Sequence, residues 1–251
     1  MDERLERWLD GLLATPGLTS IRDRDEARRV HVEESLAAVE VVRRFSGPIV
    51  DVGSGGGAPG IPLAAALPDR PATLLEANGR KCAFLREVAR EFPNVEVVQG
   101  RAEEQGTEQF GVAVAKALAA PPVAAEWCLP LVSVSGAVVL FVGPSAAADA
   151  VSHVSEQLGG GPAEQLPGLL VLQKLEPTPP GFPRRPGVAR KRPLAQSGQA
   201  KVTLLLQLPC PLVPIRMDSP RSGRRKRPRR PVGSPHAPAD LCDRQPEGRR
   251  R

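Results

Sequence analysis

The apolar positions change their period along the chain. Between Glu3 and Leu13, Leu5, Trp8, Leu9, Leu12 and Leu13 recur at helical spacing. Pro16 and Gly17 mark a turn. A second amphipathic helix is predicted from about Asp25 to Arg44, with Val30, Leu36, Val39 and Val42 on one side. From Pro48 the apolar residues gather into short runs. P-I-V-D-V-G, A-T-L-L-E, V-E-V-V-Q, F-G-V-A-V-A-K, G-A-V-V-L-F-V-G and G-L-L-V-L-Q-K-L read as strands. I-P-L-A-A-A-L and residues 79–92, 120–131 and 145–158 read as helices between them, the last capped by Ser145. Runs without strict alternation belong to strands covered on both faces. Strand–helix–strand repetition implies a mainly parallel α/β sheet with right-handed crossovers. The stretch from Leu158 to Gly168 is short, which predicts a reduced sixth strand.

After Lys174 the pattern stops. The chain divides into an N-terminal helical extension (1–46), the sheet domain (47–176), a basic proline-rich loop (177–194) and a basic low-complexity tail (195–251) expected to be disordered. The net charge of +6 divides unevenly. Residues 195–251 hold 13 Lys and Arg against 4 Asp and Glu, a net of +9, which leaves residues 1–194 at −3. A polyanion site in the body must therefore be a local patch. The tail itself reads as an RNA-binding arm, an inert solvated segment or a reading-frame artefact, with the last two favoured.

With no tyrosine and 3% aromatic residues, a base-stacking platform of the single-strand-binding kind is hard to build. Cys82, Cys128, Cys210 and Cys242 are far apart, and the three histidines are isolated. Neither a metal site nor a disulfide framework is expected. No apolar run has membrane-spanning length and no signal peptide opens the chain. The expectation is a reduced, cytoplasmic, monomeric protein.

Asp51 to Pro62, D-V-G-S-G-G-G-A-P-G-I-P, holds five glycines and two prolines between a strand and a helix. Some glycines there take positive φ, and others let a ligand lie against bare backbone. Gly55-x-Gly57-x-x-Gly60 fits a dinucleotide loop. The acid before the glycines favours another ligand: a cationic ammonium welcomes Asp51, whereas a pyrophosphate does not. The pattern looks like the S-adenosylmethionine (AdoMet) loop of class I methyltransferases. Glu76, ending the next strand, would hold both ribose hydroxyls, a feature that both cofactor classes share.

The wider set of motifs is narrower than that class. D-V-G-S-G-G-G-A-P-G-I-P-L-A, L-L-E-A-N-G-R-K-C-A-F-L and Q-G-R-A-E-E, in this order, resemble the RsmG (GidB) family. L-T-S-I-R-D-R-D-E, H-V-E-E-S-L and F-P-R-R-P-G-V-A-R-K-R-P-L are similar to its remaining segments, so the resemblance covers most of residues 4–194. It implies a Rossmann-like, seven-stranded-type class I methyltransferase that methylates N7 of a guanosine in 16S rRNA, alone or in the small ribosomal subunit. It also implies cofactor contacts at Gly53 and Ala58, with Ser54 and Gly55 in the same loop, Glu76 on the ribose, and Ala102 and Glu103 along the adenine. Lys116 takes the family's arginine position, and His31 and Ser35 fall near the site mouth. Four positions depart from the family: Gly17 stands for asparagine, Glu34 for aspartate, Lys116 for arginine, and Val142 for the lysine of Lys-Gly.

Guanine N7 carries an in-plane lone pair and no proton, so its methylation needs positioning and no general base. No acid/base pair, triad or metal cluster stands out, which agrees with that reaction. RNA contacts are expected from Arg22, Arg24, Arg28, Arg29, His31 and Lys116, and from Arg184, Arg185, Arg190 and Lys191. Each arginine could equally be solvated surface, and His31 a packing residue. Three alternatives stay open on the residues alone: a class I methyltransferase for another RNA or a small molecule, a ribosome-associated AdoMet-binding protein without turnover, and a dehydrogenase, which Asp51 disfavours.

Overall fold

Asp2 caps the first helix, α1 (Glu3–Ala14), by accepting the Arg4 N–H at 2.9 Å. Leu5, Trp8, Leu9 and Leu12 are buried along the face that the spacing predicts. The structure, a computed structural model, describes residues 2–194; the readings of the tail from residue 195 lie outside the described residues.

The second predicted helix is not continuous. It runs as α2 (Arg24–Ala27), a π-helical stretch (Arg28–Glu33), α3 (Glu34–Leu36) and α4 (Val39–Arg43). Two side chains compete for its carbonyls. Lys116 Nζ donates to Val30 O from a distant element, and Ser35 Oγ donates to His31 O at 2.7 Å. Such competition loosens the regular ladder, which apolar periodicity does not register. Gly17, the departure from asparagine, sits at φ +84°, a region open to both residues.

The sheet strands are β1 (Ile49–Val52), β2 (Ala72–Glu76), β3 (Val95–Gln99), β4 (Phe110–Lys116), β5 (Val132–Phe141), β6 (Glu164–Leu166) and β7 (Leu169–Gln173). They lie in the order β3-β2-β1-β4-β5-β7-β6. The first five pair in parallel with one another, and β7 runs antiparallel to β5 and β6. Val50, Val52, Ala113, Ala115, Val138 and Leu140 pack on one face, against α7 (Pro121–Cys128) and α8 (Ala148–Gln157). Ile49, Val112, Val114, Ala137 and Val139 pack on the other, against α4 and α5 (Gly60–Ala66). Both pleat directions are covered, so the central runs are apolar throughout. A third cluster joins α1, α2 and the π-helical stretch to α5, β2 and α6 (Gly79–Ala89), so the N-terminal extension packs on the sheet domain.

Three local boundaries differ from the sequence reading. β5 begins four residues before Gly136, through an irregular stretch where Ser135 takes φ 72° and the pairing jumps from Phe110–Val132 to Val112–Ala137. The helix predicted to Leu131 ends at Cys128 and continues as a 3₁₀ turn, because Pro130 has no N–H for an α ladder. Ser145 does not cap α8: the helix starts at Ala148 with Ala147 at the cap, and Ser145 stands two residues too early. The short stretch after Leu158 holds β6, reduced to three residues at the sheet edge. The basic loop carries one helical turn, α9 (Val188–Lys191).

Candidate cofactor cleft and active site

The strand order reverses between β1 and β4, so a crevice opens outside the C-terminal end of β1. There the chain turns through Gly53, Gly55 and Gly57, at φ +72°, +60° and +106°. Glycine adopts these angles at no steric cost, whereas most residues with a Cβ do so rarely. Gly60 meets a different need. A Cβ there would lie 2.4 Å from Leu74 Cδ2 and 2.7 Å from Asp51 Oδ2, so α5 can start against the sheet only with a bare residue. Trp8 Nε1 donates to Gly56 O at 2.8 Å, which lets α1 brace the loop from behind.

Asp51 lies beneath this loop rather than in the crevice. It is 1% exposed, and its Oδ2 accepts the Gly60 N–H at 3.0 Å. Its Oδ1 is buried without a partner. Burial pushes the carboxyl up to about 7, against the opposing hydrogen bonds from Gly60 and Ser54. Ser54 is also buried and donates to Asp51 O at 2.9 Å. Ala58 packs toward the cluster under α1. The expectation that the acid before the glycines faces the ligand is corrected: Asp51 staples strand to loop, and its side chain has no cleft surface.

Gly53 and Glu76 do line the cleft, at the ends of the adjacent strands β1 and β2. The cavity measures about 350 Å³. Glu76 Oε2 accepts the Gly55 N–H at 2.9 Å, and Oε1 accepts the Asn78 N–H at 2.7 Å. Each oxygen retains a lone pair for a ligand hydroxyl. Ala102 and Glu103 form the wall after β3. Leu118 lies over Gly53: a Cβ at that glycine would come 2.3 Å from Leu118 Cδ1. Trp127 of α7 completes the wall, and its Nε1 is buried with no partner. Glu103 Oε1 accepts the Gly187 N–H at 3.1 Å, which holds the basic loop at the cleft. Arg190 lies over the Trp127 ring at 5.4 Å.

Lys116, His31 and Ser35 gather at the end of β4, away from this lining. Lys116 Nζ donates to Val30 O and to Glu34 Oε2, the latter at 3.0 Å. It also lies 5.6 Å from the Phe141 ring centroid. His31 Nε2 is 3.0 Å from Thr19 Oγ1. Burial, then the nearby Lys116 ammonium, holds the His31 imidazole below its ordinary value. Lys116 is thus a tie between the sheet and the π-helical stretch, not a wall of the cleft.

The arginines chosen from sequence separate into two sets. Arg24 pairs with Glu6 and Asp10, Arg28 with Glu6, and Arg29 with Glu34. Arg184 forms a fork with Glu126, which is 3% exposed, at 2.5 Å on both arms. Arg22, Arg185, Arg190 and Lys191 are exposed.

The family model described as rRNA small subunit methyltransferase G (GidB) matches residues 3–159. The chain belongs to this family. Among its relatives, the ribosomal RNA small subunit methyltransferase G of Moorella thermoacetica is 37% identical, over 70% of this chain and 82% of that protein. Its counterpart in Chloroflexus aggregans is 35% identical, over 76% of this chain and 89% of that protein. Within the family's motifs, the sequence reading passed over Lys81 and Arg101, which line the cleft beside residues it did choose. It also missed Leu118 and Trp127, because α7 becomes a cleft wall only through the fold.

Proposed function

We propose that the chain transfers a methyl group from AdoMet to N7 of a guanosine in 16S rRNA, presented alone or in the small ribosomal subunit. The observation that carries the reading is the facing pair Gly53 and Glu76, in one cleft at the strand-order reversal, in a chain of this family. The residues present fit the cofactor. Bare backbone at Gly53 allows close approach, Glu76 offers acceptors to a diol, and the unpaired Trp127 Nε1 offers a donor. Ala102, Glu103 and Leu118 supply walls for the adenine. Asp51, Ser54, Gly55 and Ala58 shape the loop that does the holding.

When bound, AdoMet supplies a methyl on a sulfonium, an electrophile that needs no activation. The chain's work is then to orient donor and acceptor and to exclude water. Guanine N7 loses no proton in the transfer, so no side chain need act as a base. A base within folded RNA must first be unstacked and brought to the crevice. Among the described residues no helix is long and apolar enough to cross a membrane. We read the protein as a cytoplasmic monomer.

Calorimetric titration tests the cofactor half of this reading. AdoMet is expected to bind one to one and NADH not at all. No heat with AdoMet overturns it.

A further inference from the structure

We infer that the RNA strand runs over the mouth of the cofactor cleft, on Lys81, Arg101 and Arg190, rather than over the N-terminal arginines. This rests on the proposed rRNA substrate. It joins Arg190, expected from the sequence to contact RNA, to Lys81 and Arg101, which the motifs did not single out.

The three come from separate elements. Lys81 stands in the first turn of α6, Arg101 directly after β3, and Arg190 in α9, yet all line one cleft. Among the described residues none of the three enters an ion pair. Arg190 has only the Trp127 face at 5.4 Å and a long 3.5 Å contact to Leu118 O, so most of its donors stay free. The two acids of the same lining form no ion pair with these cations and accept backbone N–H groups instead. Glu76 accepts two backbone N–H groups, and Glu103 accepts the Gly187 N–H. Outside the cleft, exposed Arg80, Arg185, Lys191 and Arg192 extend the same side chains' neighbourhoods in sequence.

Of the four N-terminal arginines, only exposed Arg22 is outside an ion pair among the described residues. Arg24, Arg28 and Arg29 are held by Glu6, Asp10 and Glu34, and Arg184 by buried Glu126. An arginine already paired releases few counterions when RNA arrives. Residues 1–194 have a net charge of −3, so a free cationic rim stands out against its surroundings. AdoMet has no phosphate and one carboxylate, and does not account for three cations at its cleft. A polyanion does, through phosphate contacts that position the strand without reading its sequence.

The test uses the full chain and a 16S rRNA transcript, with binding measured across a salt series. Lys81→Gln/Arg101→Gln/Arg190→Gln is expected to weaken RNA binding at least tenfold. The slope of log K against log salt should flatten by about 2, near 0.7 per lost contact. Lys81→Arg/Arg101→Lys/Arg190→Lys should restore the slope, and Arg24→Gln/Arg28→Gln/Arg29→Gln should leave it within experimental scatter. AdoMet affinity of the neutral triple variant, read by calorimetry, should fall by less than its RNA affinity, although the three cations also line the cofactor cleft. An unchanged slope in that variant overturns the inference, as does a loss of AdoMet affinity matching the loss of RNA. If the wild-type chain binds AdoMet but no RNA at any salt, the rRNA reading itself falls.

Discussion

Lys116 Nζ and Glu34 Oε2 meet at 3.0 Å, and both residues are departures from the RsmG pattern. Lysine replaces arginine and glutamate replaces aspartate, so charge and approximate reach are kept while the planar fork is lost. The pair ties the end of β4 to the helical segment that carries His31. Lys116 also satisfies Val30 O, so its removal costs more than the ion pair alone. Lys116→Met should lower unfolding free energy by about 1–2 kcal/mol. A double-mutant cycle with Glu34→Gln should return a favourable coupling of about 0.5–1 kcal/mol, because Glu34 is well exposed. Urea unfolding at pH 7 checks both, and zero coupling would show that the two side chains act independently.

Glu76 joins the ligand to the loop. Its carboxylate accepts Gly55 N–H and Asn78 N–H while lining the cleft. Glu76→Gln exchanges one acceptor oxygen for a donor NH₂ and removes the charge. AdoMet dissociation constants should rise at least tenfold, which is about 1.4 kcal/mol. Stability of the ligand-free chain should fall by about 1 kcal/mol. Calorimetry and thermal melting give the two numbers, and an unchanged dissociation constant removes Glu76 from the ribose role.

Asp51 gives the fold a pH signature. Its carboxyl is raised from 3.8 to about 7 in the folded chain. The folded state therefore holds a proton that the unfolded state releases near pH 4. Stability from this group is complete below about pH 4 and is lost as pH rises to about 7, a total of about 4 kcal/mol. Asp51→Asn cannot titrate. The stability difference, wild type minus Asp51→Asn, should fall between pH 4 and 7 and level off above. Parallel curves in urea unfolding would place the raised value in doubt.

Arg184 is a structural residue. Glu126 is buried beneath it, and the fork carries both carboxylate oxygens. Arg184→Leu leaves a buried charge unpaired and should cost about 3–5 kcal/mol. Glu126→Leu/Arg184→Leu should recover most of that loss. Chemical unfolding of the single and double variants measures it. A mild single variant would mean that Glu126 reaches water on its own.

The sheet was legible because its central strands are covered on both faces: Val112 to Ala115 alternate between two cores, so the apolar run is unbroken. Glycines with positive φ, such as Gly53 and Gly57, were legible as a loop for the same local reason. Side-chain direction was not. Asp51 and Gly53 are two residues apart, yet one is sealed under the loop and the other faces the cleft. The π-helical break in the helix predicted over residues 25–44 coincides with a bond to Val30 O from Lys116, which is distant in sequence. The pairing of Arg184 with Glu126 likewise joins distant segments, and no run of basic letters distinguishes a tied arginine from a free one.

The central claim is methyl transfer to guanine N7. The most direct measurement incubates the chain with small ribosomal subunits and methyl-labelled AdoMet. The 16S rRNA is then cleaved by chemistry specific for N7-methylguanosine. The account predicts label in 16S rRNA and cleavage at one guanosine. Absence of label, or label that survives without N7-specific cleavage, would contradict it.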